Sequence, residues 1–207
     1  MPEGVGEVLA TRVAFLELKD ERRLVQEGYE LLDEKRMLLA GEILRQLRRM
    51  EVLEQEAQAL EERARTAFEA ALGVHGLDEL TVEPPQQLSQ SLLRWERRGF
   101  LGTNLIEAEL ELVEEGPVAP PLRPTPEVRA SAAAFRELIR QQAALAACAG
   151  NLRRLVEEYV RTERRARALE KVLLPEIDSS LQFIEEQLDA LDQEEALRVR
   201  MAGRNQD

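Results

Sequence analysis

Catalysis at neutral pH needs an activated nucleophile, an acid and base held face to face, a metal-ligand cluster or a phosphate-cradling loop. This chain offers almost none of them. Its one histidine, His75, stands between Gly73 and Gly76 with no further ligands at metal-binding spacing, and reads as a loop histidine. Its one cysteine, Cys148, has no disulfide partner and lies among Leu145, Ala149 and Leu152, which reads as a small buried hydrophobe. The paired acids Glu61 and Glu62, Glu157 and Glu158, and Glu194 and Glu195 are adjacent on helical stretches. Helix neighbours point about 100° apart, so such pairs are solvated faces and not an acid and base couple. Neither a phosphate-binding glycine loop nor a dinucleotide fingerprint is present. The expectation is no catalytic residue, no metal and no cofactor: a non-enzyme. One basic run, Arg153, Arg154, Arg161, Arg164, Arg165, Arg167 and Lys171, reverses the local charge. It is either a solvated face interleaved with Glu157, Glu158 and Glu163 or a docking surface for an acidic partner.

The elements carrying these residues are long helices. From Phe135 to Leu191 a seam runs through Phe135, Leu138, Gln142, Leu145, Ala149, Leu152, Val156, Tyr159, Glu163, Ala166, Glu170, Leu173, Ile177, Ser180 and Ile184. Its steps alternate three and four residues, which specifies a left-handed coiled coil. Gln142, Glu163 and Glu170 would make parts of that seam wet. A helix from about Glu127 to Met201 would extend about 110 Å at ~1.5 Å per residue, so the sequence describes a rod. Composition agrees: charged residues make up 33% and aromatics 4%, the balance of solvated helices and not of a thick core. A net charge of −12 argues against nucleic acid as a partner. No stretch reads as a signal peptide or reaches the apolar length of a membrane span, so a cytoplasmic protein is expected.

In chain order, residues 1–6 read as a frayed terminus and residues 7–72 as the first long helix. Its apolar positions come in pairs seven residues apart, Leu24 with Val25, Leu31 with Leu32 and Leu38 with Leu39. They continue through Ile43, Leu47, Met50, Leu53 and Ala57. Two successive steps of three between Leu47 and Leu53 predict a distortion there. Gly28, beside Tyr29, would let another backbone approach closely. Residues 73–126 form a turnaround holding seven of the nine prolines. Within it Leu88–Arg98 suggests a short helix carrying Trp95 against the rod, and Asn104–Val113 either a strand returning through a turn at Glu115–Pro117 to Val118–Leu122 or a helix continuing as far as Gly116. Residues 127–202 form the second long helix, kinked at Pro175, which has no N–H for the carbonyl of Lys171. Residues 203–207 read as a disordered tail. The fold class is therefore all-α: a long antiparallel two-helix coiled-coil hairpin with a small irregular or β-hairpin region at the turnaround.

Certain residues carry a more specific likeness. Arg164 and Arg165, then Ala168, Leu169, Glu170, Val172 and Pro175, then Phe183, Ile184 and Glu185, form a pattern running into Leu197 and Arg198. Thr11, Arg12, Gly28, Tyr29, Leu31, Leu32, Lys35 and Arg36 form its counterpart in the first helix. Together they resemble the D subunit of the V-type and archaeal-type rotary ATPases, the central shaft of the motor. The chain departs from that family in Arg167, where asparagine is usual, and in a sparser basic tail of Arg198, Arg200 and Arg204.

The resemblance implies a rotor component of the central stalk that transmits torque between a catalytic nucleotide-binding ring and a membrane ion-translocating rotor ring. The implied partners are catalytic and regulatory ATPase subunits around the terminal tip, the small F subunit on the shaft, and a socket subunit at the foot. The implied location is the cytoplasmic side, peripheral on the membrane. Thr11, Arg12, Gly28, Lys35, Arg36, Arg164, Arg165, Leu197 and Arg198 become candidate partner contacts, and Pro175 a structural kink. A coiled-coil adaptor, tether or chaperone outside any ATPase is the competing reading, since it would share the heptads and composition.

Overall fold

The computed structural model describes residues 11–82, 92–112 and 125–204. It contains a first helix α1 (Arg12–Val82), strands β1 (Leu92–Phe100) and β2 (Thr103–Glu111), and a C-terminal helical run made of α2 (Pro126–Ala168), a single π-helical turn (Leu169–Leu173) and α3 (Leu174–Arg204). The chain divides into two units, one formed by the residues up to Met37 with those from Val160, the other by Leu38–Tyr159. In each unit α1 runs antiparallel to the C-terminal helices, as the contacts within each show. Arg12 meets Asp192 and Arg22 meets Asp178 in the first unit. Cys148 meets Gln46, Gln141 meets Glu56, and Phe68 stacks edge-on against Phe135 in the second. Partner numbers fall as α1 numbers rise.

The seam of the C-terminal run follows the expected heptads in one column and departs from them in the other. Leu138, Leu145, Leu152, Tyr159, Ala166 and Leu173 turn inward as read from the sequence. The second column is Ala134, Gln141, Cys148, Leu155, Thr162 and Leu169, one residue before the expected Phe135, Gln142, Ala149, Val156, Glu163 and Glu170. Gln142 and Glu170 are exposed, so the wet seam is replaced by a drier one. Beyond Leu173 the expected Ile177 and Ile184 return to the inside and are buried, but the expected Leu191 is 54% exposed. The π turn explains the offset: it holds one residue more than an α-helical turn, so column spacing stretches from seven to eight between Leu169 and Ile177. Pro175 stands just after it. The proline cannot donate to Lys171 and its ring crowds the preceding turn, and the Leu174 N–H bonds instead to the carbonyl of Leu169, five residues back.

In α1 the expected distortion between Leu47 and Leu53 is absent. Gln46 is buried and Leu47 exposed, so the inward positions Ile43, Gln46, Met50, Leu53, Ala57 and Leu60 keep a regular alternation. The inward place belongs to a polar residue, which an apolar pattern skips. Helical structure also extends past Leu72 to Val82, broken at Gly76, whose φ of 71° lies in the left-handed region that favours glycine. His75 is not a loop residue. Its side chain is buried, with Nδ1 3.1 Å from Glu79 and Nε2 2.8 Å from the hydroxyl of Thr125, which caps α2.

The turnaround differs most from expectation. Leu92–Phe100 is a strand and not part of a helix, and Trp95 is 50% exposed on it. Asn104–Glu111 is strand as read, but its partner lies upstream: β1 pairs antiparallel with β2 from Leu92↔Glu111 to Phe100↔Thr103. The expected turn at 115–117 and return strand at 118–122 lie outside the described residues. The connection is a two-residue turn with positive φ at Leu101 (47°) and Gly102 (89°), the left-handed pair that matches strand twist. Leucine is an unusual occupant of that conformation, which is why the hairpin gave no turn signal.

Candidate interaction surfaces

Among the described residues no group of histidine, cysteine and acidic side chains could hold a metal ion, and no helix is long and apolar enough to cross a membrane. Cys148 is buried, and burial pushes its thiol up, away from the reactive thiolate.

The hairpin is fastened to the helices on two sides. Leu105 is buried with Leu39 and Leu155, and Ile43, Phe100, Leu101 and Tyr159 pack around them. The flanks of this core are ionic: Arg98 lies 3.5 Å from the buried Glu42, and Arg49 bonds Glu107 at 2.9 Å. Glu42 also accepts from Gln46 at 2.9 Å through Oε1. Arg45 lies 2.7 Å from its Oε2 yet off the hydrogen-bonding direction, so that contact is Coulombic and the oxygen lacks a directed bond. On the second side the amide of Asn151, itself 2% exposed, acts as a strand would: Nδ2 donates to the Ile106 carbonyl at 2.8 Å and Oδ1 accepts from the Ile106 N–H at 2.7 Å. Arg154 adds bonds from Nη2 to Oδ1 of Asn151 and from Nε to the carbonyl of Asn104. Satisfying the outer edge of β2 through side chains of α2 removes the penalty of leaving those groups bare. Sequence reading missed Asn151 and Glu42, and it placed Arg154 in the basic run as a solvated or docking residue, whereas Arg154 fastens the hairpin. Only the one-residue change of seam phase marks Asn151 as inward-facing.

The candidate partner contacts fall into separate places. Thr11 caps α1 through its hydroxyl, which accepts from the Ala14 N–H at 3.1 Å. Arg12 spans to Asp192 at 3.1 Å, and both are well exposed. Beside them Val13 and Leu16, and on α3 Leu191, Leu197, Val199 and Met201, leave more than half of their surface open. Arg198 pairs with Glu194 along the same helix. Arg22 bonds Asp178, and that bond with the nearby charge holds its guanidinium above its usual range. Gly28 is half-buried, but a Cβ there would sit 3.7 Å from Leu169 Cδ1, an ordinary contact. The close backbone approach expected at Gly28 is not required. Lys35 is half-buried, and Arg36 pairs with Asp33. Arg164 and Arg165 are exposed, and the basic run is partly neutralised by Arg153 with Glu157 and Arg167 with Glu163.

One set of exposed residues follows a rule. Of each leucine pair in α1 one member turns inward and the other outward: Leu24 and Leu31 are 69% and 67% exposed while Val25 and Leu32 are half-buried. Leu38 and Leu39 follow the same rule, the first 49% exposed and the second buried.

A family model described as the ATP synthase D subunit matches residues 14–204. The chain is 31% identical over 206 residues to the A-type ATP synthase D subunit of Thermococcus gammatolerans, covering 93% of this chain and 92% of that protein. It is 30% identical to the A-type ATP synthase D subunit of Thermococcus sibiricus, with the same coverage. It is 24% identical to the V-type ATP synthase D subunit of Thermotoga neapolitana, over 93% of this chain and 95% of that one.

Proposed function

The chain belongs to the D-subunit family of the ATP synthases, and from that premise we propose that it is the central-stalk rotor shaft of a V/A-type rotary ATPase or ATP synthase. In this reading it makes no bond itself. It carries torque between a ring of catalytic and regulatory nucleotide-binding subunits and the ion-translocating ring in the membrane, on whose cytoplasmic side it sits. The observation that supports the role most is that the family match runs through both long helices and the hairpin between them.

The geometry suits the task. A pair of helices has no threefold symmetry, so three equivalent sites around it meet three different faces. Turnover at one site then changes which face fits best, and the shaft turns; torque from the ion-driven ring runs the same cycle backwards. Ring contacts fall to Thr11, Arg12, Leu197 and Arg198, the terminal candidates, whose neighbours are exposed and apolar. The outward column of Leu24 and Leu31, with Gly28, Lys35, Arg36, Arg164 and Arg165, serves partners farther along, among them the small F subunit. The socket subunit takes the turnaround.

Tagged purification of the chain from its own cells tests this reading. Two large nucleotide-binding polypeptides near three copies each, with one small subunit, are the expected companions. Recovery of the chain alone, or as its own dimer with unrelated proteins, would sink the proposal.

A further inference from the structure

The hairpin has four sides, and the helices hold only two of them. Phe100 and Thr103 flank the two-residue turn and exchange backbone hydrogen bonds, so bonded and unbonded pairs alternate from there along the ladder. Arg98, Glu96, Arg94 and Leu92 spend their backbone groups on β2. Gly99, Arg97, Trp95 and Leu93 turn theirs outward. The phase is fixed independently by Ile106, opposite Arg97, whose outward N–H and carbonyl are the groups that Asn151 binds. On β2 the outer edge is thus capped by α2. On β1 the corresponding groups of Leu93, Trp95, Arg97 and Gly99 meet no partner among the described residues, and β1 is exposed from Leu92 to Gly99.

The same parity sorts the faces. Leu105 and Phe100 are on the side packed against the helix pair, with Arg98 and Glu107. The opposite face carries the apolar Leu93, Trp95, Ile106, Ala108 and Leu110, with Arg97 and Asn104 toward the turn, and Leu93 and Trp95 are about half exposed. Among the described residues this edge has no proline, no bulge and no covering element, and the Arg97 guanidinium lies folded over the Trp95 ring, 4.3 Å from its centroid. Arg94 and Arg98 are committed to Glu111 and Glu42, whereas Arg97 meets no carboxylate among the described residues.

We propose that β1 accepts a third strand: an extended segment of another polypeptide in the complex, apolar at alternate positions and bearing a carboxylate beside Arg97. Backbone pairing to the four outward residues supplies the register. Its apolar side chains continue the Leu93–Trp95 face, and its acid replaces the ring as the partner of Arg97. A two-stranded ribbon becomes a three-stranded sheet, the smallest arrangement that is stable in its own right. The inference rests on the chain being part of a multi-subunit assembly.

Residue-resolved amide hydrogen exchange on the full chain, free and in the complex purified through its tag, tests this. In the free chain the amides of Leu93, Trp95, Arg97 and Gly99 should exchange fast while those of Arg94, Glu96 and Arg98 are slow. In the complex the four fast amides should slow by about a hundredfold or more, restoring protection along the whole strand. Unchanged fast exchange in an intact complex overturns the third strand and leaves the assembly reading standing. Slow exchange already in the free chain overturns it too, because residues 83–91 or 113–124 of this chain, or a second copy, would then hold the edge. A chain recovered with no companion overturns both. Arg97→Pro gives a second check: it removes one outward N–H and leaves the ladder to β2 intact. In the assembled variant the added protection at Leu93, Trp95 and Gly99 should fall at least tenfold, and full retention would contradict the pairing.

Discussion

Between Leu38 and Tyr159 the chain buries Leu39, Leu105, Leu155 and Cys148 together with Glu42, Gln46 and Asn151. Between Arg12 and Met37 it buries no residue fully, and among the described residues the facing helix contributes only Thr162, Ala166, Ile177 and Ile184. The difference is the number of layers. Two helices close a narrow seam and leave its flanks open to water; the hairpin adds a third wall, and with it come a core and a polar network that can be satisfied away from solvent. The unit with the hairpin encloses a core that the two-helix unit lacks, although both expose large apolar side chains, Leu44 and Val52 in the one and Leu24 and Leu31 in the other.

The sharpest way to break that comparison is truncation at matched leucines. Leu155→Ala should cost about 2–5 kcal/mol in denaturant unfolding, as full core leucines do, while Leu31→Ala, at a 67% exposed site, should stay within ~0.5 kcal/mol. Equal costs would mean that the layers do not matter. Next in size is Asn151→Leu, which strands the Ile106 N–H and carbonyl and should cost about 1–3 kcal/mol. Loss of amide protection at Ile106 with helicity retained would locate the damage in the hairpin's attachment.

In the terminal unit, changes to the backbone should gain and not lose. Gly28→Ala has room for its methyl and should raise stability by up to about 1 kcal/mol; a loss would restore the close approach that the sequence suggested. Pro175→Ala should raise the melting temperature, with a gain in stability smaller than the ~3 kcal/mol of an ordinary interior proline, because the π turn already accommodates the ring. The smallest effect is kinetic. Cys148 in the folded chain should react with a thiol reagent far more slowly than a free cysteine, and its labelling should begin to rise only at higher pH, since burial raises its pKa. The sign follows for stability. A thiol whose folded pKa is raised contributes stability that is present below the unfolded pKa and fades as pH climbs through the folded value.

Much of this was legible in the residues. Apolar periodicity gave both helices and one full column of the seam, and alternation gave β2. What was hidden has physical causes. Gln46 and Asn151 occupy inward positions as polar residues, so a hydrophobic pattern skips them. Leu101 adopts a left-handed turn conformation that its residue type does not advertise. The arginines of β1 looked like a helix face, and Trp95 like an anchor, because the pairing that makes them a strand depends on that turn. The terminal surface left a trace: paired leucines, where a single seam needs only one of each pair.

The π turn at Leu169–Leu173 also acts as a registration mark. An unbroken α-helix through this region would rotate everything after it by about 100°, setting Glu176 and Phe183 inward in place of Ile177 and Ile184. Burying a carboxylate there without a partner would be costly, so the correct phase is selected against a slipped one. A rigid helical probe fused beyond α3 and aligned by counting heptads from α2 would therefore report the wrong angle by a quarter turn, unless the extra residue were counted.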